Sequence, residues 1–239
     1  HFVREDIPLI SLTLNGMLNA RILPDSEVYF AESIMDYYPV YYKHTKGKKI
    51  ILIAEDTLSK LNKMSNIKRN YILKIFNSCD GFIAISESSK NLLLNYVKKP
   101  VEMAYPFPHK EFFHIKSMLD TKNVLFIGRN DKSKGFMELV NAIKILRRGD
   151  RRWNLYLIGE CSKSIKSEDG IHSLGYVKNM EPYMKMCTYF VHPADADFTT
   201  PATVFEAMNA GIITIISNMI GQAEIFRKNK LNALILKDN

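Results

Sequence analysis

Cysteine and long apolar runs are scarce in this sequence of 239 residues. Its three cysteines are odd in number, far apart and outside any C-x-x-C pair: Cys79, Cys161 and Cys187. This spacing argues against a disulfide framework and against a structural zinc site. No stretch approaches the roughly eighteen apolar residues that a membrane span requires. We therefore expect a soluble protein of the reducing cytoplasm, and we expect no metal site.

Acidic side chains are outnumbered, with 25 Asp and Glu against 33 Lys and Arg, for a net charge of +8. Such a charge is compatible with nucleic acid, an anionic membrane or a phosphorylated ligand. No basic stripe interleaved with aromatic residues is found, so we do not expect nucleic-acid binding. Residues 43–74 are strongly basic, with Glu55 and Asp56 as their only acids. This segment is either a solvated helix surface or a peripheral membrane contact.

Short apolar runs alternate with segments of helical period, a pattern typical of β-α units and parallel sheets. The predicted strands lie near residues 27–31, 49–54, 81–86, 101–104, 123–128, 154–159, 187–192, 212–217 and 232–236. Strands that are apolar on both faces must be covered by helices on both sides. Ser86 and Glu87 are predicted to open one such helix, and Ser133 another.

A break falls between Tyr105 and Lys122, where prolines prevent a helix and polar sequence follows. We therefore predict an α/β protein with two doubly wound Rossmann-like domains, residues 1–118 and 119–239, facing each other across a cleft. Ligands of such sheets bind beyond the carboxyl ends of the strands. The loops after Gly128, Gly159 and Pro193 are the places to seek chemistry.

The segment Gly128–Gly135 leads from a predicted strand into a helix and has the layout of a phosphate-binding loop. Gly128 permits a sharp exit from the strand, and the start of the helix offers unpaired N–H groups. Arg129 and Lys134 add two positive charges, and we expect both side chains to be accessible to solvent. The segment is neither a P-loop nor a G-x-G-x-x-G turn, so an ordinary basic turn is the alternative.

A short helix is predicted between Thr200, as N-cap, and Gly211, as the residue that ends it. Pro201 suits the first helical position. The predicted packing side of this helix consists of Val204, Phe205 and Met208. Its other side carries small or polar residues: Ala202, Thr203, Glu206, Asn209 and Ala210. Glu206 is the only charged residue of this helix. Its carboxylate could accept hydrogen bonds from both hydroxyls of a ribose, or it could simply be solvated.

Together these segments resemble family 4 of the glycosyltransferases. The resemblance is carried by Gly128-Arg129, Lys134-Gly135, Leu174-Gly175-Tyr176, the run from Tyr189 to Pro193, and the run from Glu206 to Gly211. The segment that begins near Gly221 matches the next family motif. The resemblance is strong over residues 122–236 and weak over residues 1–118. It implies a GT-B fold with an acceptor-side first domain and a second domain that binds the nucleotide sugar.

By the same resemblance, Arg129 and Lys134 bind the donor diphosphate, Glu206 the ribose, and the loop around Tyr176 the nucleobase. The implied donor-binding set is Gly128, Arg129, Lys134, Tyr176, Asp197, Phe198, Thr199, Thr200, Thr203 and Glu206. The implied reaction retains configuration, needs no metal and uses no cofactor beyond the nucleoside-diphosphate sugar as co-substrate. A lipid-linked, glycan or protein acceptor is implied.

Three departures from the family pattern qualify this hypothesis. The first glutamate of the family's E-x7-E motif is replaced by Phe198, with Asp197 adjacent, so we expect an altered sugar subsite. A family histidine that often follows the strand at residues 50–54 is replaced by Glu55 or Asp56, which are the candidate catalytic residues. The family's opening strand and closing helix are not found, so we expect a truncated first domain. The alternative is a catalytically reduced homologue that acts as a binding or regulatory subunit.

Overall fold

The computed structural model describes residues 9–53, 58, 61–105, 108, 110–194, 201–218, 220–229 and 233–236. The chain divides into two compact units, His1–Tyr105 and Pro106–Asn239. Each unit contains one sheet whose named strands pair in parallel. No helix in the described ranges has the length and apolar character to cross a membrane.

The first unit has a four-stranded sheet in the order β1-β2-β3-β4. Its elements are α1 (Leu9–Ala20), β1 (Val28–Ala31), α2 (Ile34–Lys43), β2 (Lys48–Ile53), α3 (Asn66–Asn77), β3 (Gly81–Ala84), α4 (Glu87–Leu94) and β4 (Val101–Met103). A serine begins each of the helices α2, α3 and α4, because its hydroxyl accepts a backbone N–H of the first turn: Ser33, Ser65 and Ser86. The predicted helix start at Ser86 and Glu87 is therefore confirmed.

The second unit has a six-stranded sheet in the order β10-β9-β8-β5-β6-β7. Its strands are β5 (Asn123–Ile127), β6 (Asn154–Ile158), β7 (Ile171–Gly175), β8 (Tyr189–His192), β9 (Ile213–Ile216) and β10 (Ala233–Ile235). Its α-helices are α5 (Phe136–Gly149), α6 (Glu181–Met186), α7 (Ala202–Asn209) and α8 (Ile220–Asn229). The strand order reverses between β5 and β8, so the loops that follow these two strands flank the switch point of the sheet.

Both faces of the second sheet are covered, as the apolar strands predicted. Val124 and Phe126 of β5 join a buried cluster with α5, while Leu125 between them joins a cluster with α6, α7 and α8. Phe136, Leu139, Val140 and Ile143 of α5 are buried on this side, whereas Leu146 is 43% exposed. Successive β5 residues thus point into opposite cores.

All nine predicted strands are present, with ends that differ by one or two residues from those predicted. Strand β7 was missed. It pairs only with β6 in the described sheet, and after Ile171 its residues are only half-buried. An edge strand with His172 and Ser173 lacks the continuous apolar run of a strand covered on both faces, so its sequence is typical of a loop.

The two helix starts of the second unit differ from those predicted. Helix α5 begins at Phe136 after Gly135, whereas Lys132–Lys134 form a 3₁₀ turn. Asp131 accepts the backbone N–H of Ser133 at 3.0 Å, so Asp131 and not Ser133 is the capping side chain. Helix α7 begins at Ala202, and Pro201 precedes its first residue. Thr200 lies outside the described residues.

Four residues that we assigned to the first domain contact the second unit: Phe112, Ile115, Ser117 and Met118. Phe112 and Ile115 join the buried cluster of α6 and α7. The backbone N–H of Ser117 donates to Ala210 at 2.9 Å, and that of Met118 donates to Lys185 at 2.7 Å. By its contacts, the second unit therefore begins at Pro106.

The three cysteines are buried free thiols. Burial raises the pKa of Cys79 and Cys161 to about 11, and that of Cys187 to about 12. A thiol with such a pKa is protonated at neutral pH and is a poor nucleophile. These side chains act as small apolar residues of the two cores.

Candidate functional site

Three glycines lie side by side where β5, β6 and β7 end. The N–H of Gly128 donates to Ile158 at 3.0 Å, and the N–H of Gly159 donates to Gly175 at 2.7 Å. Gly159 has φ 98°, and a Cβ there would lie 2.6 Å from the carbonyl oxygen of Gly128. Only glycine fits such a backbone contact. The ends of β5, β6 and β7 are therefore packed backbone against backbone at the carboxyl edge of the sheet.

The loop after β5 presents Arg129 to solvent. The pKa of the neighbouring Asp131 carboxyl lies below its ordinary value. Desolvation alone would raise that pKa, but it is outweighed by two hydrogen bonds from Ser133 and by the charges of Lys134 and Arg129. Asp131 is therefore ionised at neutral pH, and it partly balances the positive charge of this loop.

Lys134 is buried, with 8% of its surface exposed, so our prediction of an accessible side chain was wrong for this residue. Lys134 is the last residue of the 3₁₀ turn, two residues before Phe136, the first residue of α5, which is also buried. A buried ammonium is costly unless a nearby anion balances its charge. Lys134 is consequently a more preorganised charge than Arg129.

The loop after β5 contacts the loop after β8. Gly135 has φ 71°, and a Cβ there would lie 2.3 Å from the carbonyl oxygen of Pro193. Residues 193 and 135 are far apart in the sequence, so this contact is set by the strand order. It brings the loop that carries Arg129 and Lys134 next to Pro193, the first residue after β8.

We expect Gly135→Ala to lower the free energy of unfolding by about 2 to 4 kcal/mol, because an alanine is strained at this φ and its Cβ overlaps the Pro193 carbonyl. Urea unfolding followed by circular dichroism measures the loss. The matched control is Gly149→Ala at the other end of α5, where a Cβ meets no atom within 4 Å. That variant should stay within about 1 kcal/mol of the parent protein. Equal losses would contradict the close contact.

Helix α7 is anchored by Val204, Ala207 and Ala210, which are fully buried. The predicted packing residues Phe205 and Met208 are only half-buried, and Ala210 belongs to the core. These small alanines are buried because α7 packs closely on the sheet. The size of a residue alone does not predict such close packing. Gly211 ends the helix with φ 76°, as predicted.

Glu206 lies at the edge of the buried side of α7. One turn further along the helix, Ala210 is fully buried, while Glu206 and Thr203 are half-buried. The backbone carbonyl of Glu206 accepts the N–H of Ala210 at 3.0 Å. Glu206 is half-buried as a whole residue, and its position is compatible with a ligand that lies against the helix.

Tyr176 directly follows β7 and is 74% exposed. The Lys163 ammonium lies 5.8 Å from the centre of its ring. A cation over an aromatic face is a modest attraction at an exposed site. The ring stands at the carboxyl edge of the sheet and is largely exposed to solvent.

Sequence reasoning missed the 3₁₀ helix Glu160–Ser164, which follows β6 at this edge. Ser162 and Cys161 are buried within it. The missed signal was a serine three residues after the glycine that ends a strand, a spacing at which a hydroxyl commonly bonds local backbone.

The candidate residues Glu55, Asp56, Asp197, Phe198, Thr199 and Thr200 lie outside the described residues. Among the described side chains, no group of three His, Cys, Asp or Glu could hold a metal ion.

Residues 121–239 match the family model described as glycosyl transferases group 1. No match is found among curated proteins. Solved structures match nearly the whole chain with low identity. TarM matches with TM-score 0.71 and 15% identity, over 95% of this chain and 48% of TarM. A trehalose-6-phosphate synthase matches with TM-score 0.72 and 13% identity, over 96% of this chain and 66% of the synthase.

A third similar structure is the pneumococcal O-GlcNAc transferase GtfA in complex with UDP and GlcNAc. It has TM-score 0.67 and 13% identity over 93% of this chain and 48% of GtfA. This chain thus spans about half to two thirds of the length of these proteins. At such identities the structures establish the fold alone. The chain has the GT-B fold, and its residues 121–239 match the model of the group 1 glycosyltransferases.

Proposed function

We propose that this protein is a retaining, metal-independent glycosyltransferase that moves a sugar from a nucleoside-diphosphate sugar to a lipid-linked, glycan or protein acceptor. The observation that carries the proposal is the contact between Gly135 and Pro193. It joins a loop with two positive charges to the segment that precedes α7, at the switch point of a parallel sheet. Anionic ligands of doubly wound sheets bind at such places.

Each part of the donor has a matching residue. Arg129 and Lys134 bind the diphosphate as charge-assisted donors. Glu206 accepts hydrogen bonds from the ribose hydroxyls, with Thr203 beside it on the helix. Tyr176 borders the nucleobase. The remaining proposed contacts, Gly128 and Asp197–Thr200, border the phosphates and the transferred sugar.

Breaking the glycosidic bond leaves negative charge on the departing nucleoside diphosphate. Arg129 and Lys134 belong to the same loop after β5, and their positive charges stabilise that negative charge as it forms. In the proposed reaction the donor phosphate accepts the proton of the acceptor hydroxyl on the same face of the sugar. Glu55 and Asp56 are the proposed catalytic residues of the first unit. The similar trehalose-6-phosphate synthase was studied for glycosyltransfer with retention, and GtfA was solved with UDP and GlcNAc.

A panel of nucleotide sugars tests this function. We expect one donor to bind and to be hydrolysed slowly to the nucleoside diphosphate, with the anomeric configuration of the released sugar retained on NMR analysis. Added chelator should leave the rate unchanged. Donor binding without hydrolysis or transfer would instead favour the non-catalytic binding or regulatory subunit.

We further propose that the protein is cytoplasmic and contacts anionic membrane through basic residues of the segment 43–74. Helix α3, most of which lies in this segment, carries no acid. Lys63 precedes the helix, Lys74 lies in its last turn, and both are exposed. Each basic residue near an anionic lipid surface adds about 1 kcal/mol of binding free energy.

Replacing Lys63 and Lys74 together with glutamine should weaken binding to phosphatidylserine vesicles by about 2 kcal/mol, roughly thirtyfold. Vesicle co-sedimentation at two salt concentrations measures the effect. The control is Lys144→Gln with Lys185→Gln, an equal change of charge on exposed lysines of the second unit that pair with Glu168 and Glu181. Equal weakening by both double variants would show that net charge, not this surface, governs binding.

A further inference from the structure

Ser162 joins the loops that end β6 and β7. Its hydroxyl donates to the carbonyl oxygen of Gly159 at 2.7 Å and accepts the N–H of Gly175 at 3.0 Å. Ser162 is 6% exposed, so this pair of hydrogen bonds lies inside the protein. Tyr176 is the next residue after Gly175. Together with the bond from the Gly159 N–H to Gly175, this buried hydroxyl therefore fixes the start of the Tyr176 loop relative to β6.

The same 3₁₀ helix also contacts the loop after β5. The N–H of Cys161 donates to Gly128 at 3.2 Å, and the Ser164 hydroxyl donates to the Asn130 side-chain oxygen at 2.8 Å. Asn130 directly follows Arg129. The segment Glu160–Ser164 thus bonds the loop that carries Arg129 through Ser164 and the loop that carries Tyr176 through Ser162.

We propose that Ser162 and Ser164 are positioning residues for the two ends of the donor. Ser162 sets the place of the nucleobase end through Gly175 and Tyr176, and Ser164 sets the diphosphate end through Asn130 and Arg129. The inference rests on the proposed function, because it needs a nucleoside diphosphate at this edge. It goes beyond the proposed function because it gives the hydroxyls of Ser162 and Ser164, which belong to one five-residue helix, two different roles.

Burial fixes the kind of role that Ser162 can have. Its hydroxyl is enclosed and is already used once as donor and once as acceptor, so it acts through its neighbours rather than by touching the ligand. Loss of the hydroxyl leaves the Gly175 N–H and the Gly159 carbonyl without this partner. Backbone groups left in that way seek other arrangements, and the loop that carries Tyr176 should shift.

Calorimetric titration of the parent protein with UDP, GDP, ADP and inorganic pyrophosphate provides the test. Ser162→Ala should lower the affinity for the preferred nucleoside diphosphate by about tenfold and the affinity for pyrophosphate by less than about twofold. The differences in affinity among UDP, GDP and ADP should become smaller. Ser164→Ala should weaken the nucleoside diphosphate and pyrophosphate equally, by about threefold. The control is Ser167→Ala, which removes a serine hydroxyl that accepts the N–H of Ser173 in β7. This variant should change neither the affinity for the nucleoside diphosphate nor that for pyrophosphate.

In Ser162→Ala the ratio between the two ligands separates positioning from general damage. In Ser164→Ala, where equal losses are expected, the free energy of unfolding makes that separation and should stay at the value of the parent protein. Partial unfolding lowers the apparent affinity for both ligands by the same factor, so it leaves the ratio unchanged. An equal loss of both ligands in Ser162→Ala, or an unchanged preference among the bases, would overturn the positioning role while the proposed function stands. A parent protein that binds none of the four ligands would overturn the proposed function, and this inference with it.

Discussion

Arg129→Ala is expected to weaken the binding of a nucleoside diphosphate by about tenfold to a hundredfold and to leave the free energy of unfolding unchanged. Arg129 is exposed, so its removal costs no packing. A charge-assisted hydrogen bond to a phosphate contributes about 1.5 to 3 kcal/mol, which gives that range. Calorimetry measures the affinity, and urea unfolding measures the stability.

Lys134 requires a different substitution because it is buried. Lys134→Ala would remove packing along with charge, whereas Lys134→Met keeps most of the apolar stem. We expect Lys134→Met to weaken the nucleoside diphosphate as strongly as Arg129→Ala does. In both variants the pKa of the Asp131 carboxyl should rise towards its ordinary value, because each removes a positive charge that lowers it.

Lys132→Ala is the matched control for both variants. Lys132 lies in the same loop and is exposed, but it is not in the predicted phosphate-binding set. We expect its replacement to change the affinity less than about threefold, through long-range charge alone. If all three variants lose affinity equally, the phosphate is attracted by net charge and the assigned pair is wrong.

The architecture could be predicted because the two sheets are built from strands that are covered on both faces. Val124 to Ile127 and Leu155 to Ile158 are continuous apolar runs, and such runs have few alternatives to buried parallel strands. Helix starts followed from local chemistry where a serine supplies the cap, as at Ser86. At these positions local preference and final structure agree.

The contacts that shape the candidate site could not be predicted, because they join segments that are distant in sequence. Gly135 is glycine because of Pro193, and Gly159 is glycine because of Gly128. The burial of Lys134 and the two hydrogen bonds of Ser162 have the same origin. Propensity and periodicity carry no information on such pairs until the order of strands is known.

The structure differs from the prediction at two further places, the exposed edge strand β7 and the closely packed helix α7. Strand β7 ends at Gly175 with no apolar run, since only part of it is covered. In α7 the helix approaches the sheet closely enough to bury alanines, so Phe205 is displaced to a half-buried place. Hydrophobicity by residue type predicted the larger side chain to be inside, but the space beneath the helix decides.

Glu206→Gln is expected to weaken the binding of a nucleoside diphosphate by about 1 to 3 kcal/mol, or roughly fivefold to a hundredfold. The free energy of unfolding should change little. Helix α7 is held by Val204 and Ala207, which the substitution does not touch. An ionised glutamate can accept hydrogen bonds from two neighbouring hydroxyls. Glutamine offers one acceptor oxygen and turns the other position into a donor, so one ribose hydroxyl is left mismatched.

The ribose itself supplies the control for this prediction. A 2′,3′-dideoxy nucleoside diphosphate has no hydroxyls to lose, so Glu206→Gln should leave its already weaker binding nearly unchanged. Thr203→Val, on the same side of α7, removes a hydroxyl without altering charge and should change the two ligands alike. The decisive quantity is the coupling free energy between the Glu206 substitution and the two hydroxyls, obtained from four titrations. A coupling near zero would mean that Glu206 does not contact the ribose, because only a direct hydrogen bond makes the effect of the carboxylate depend on the hydroxyls.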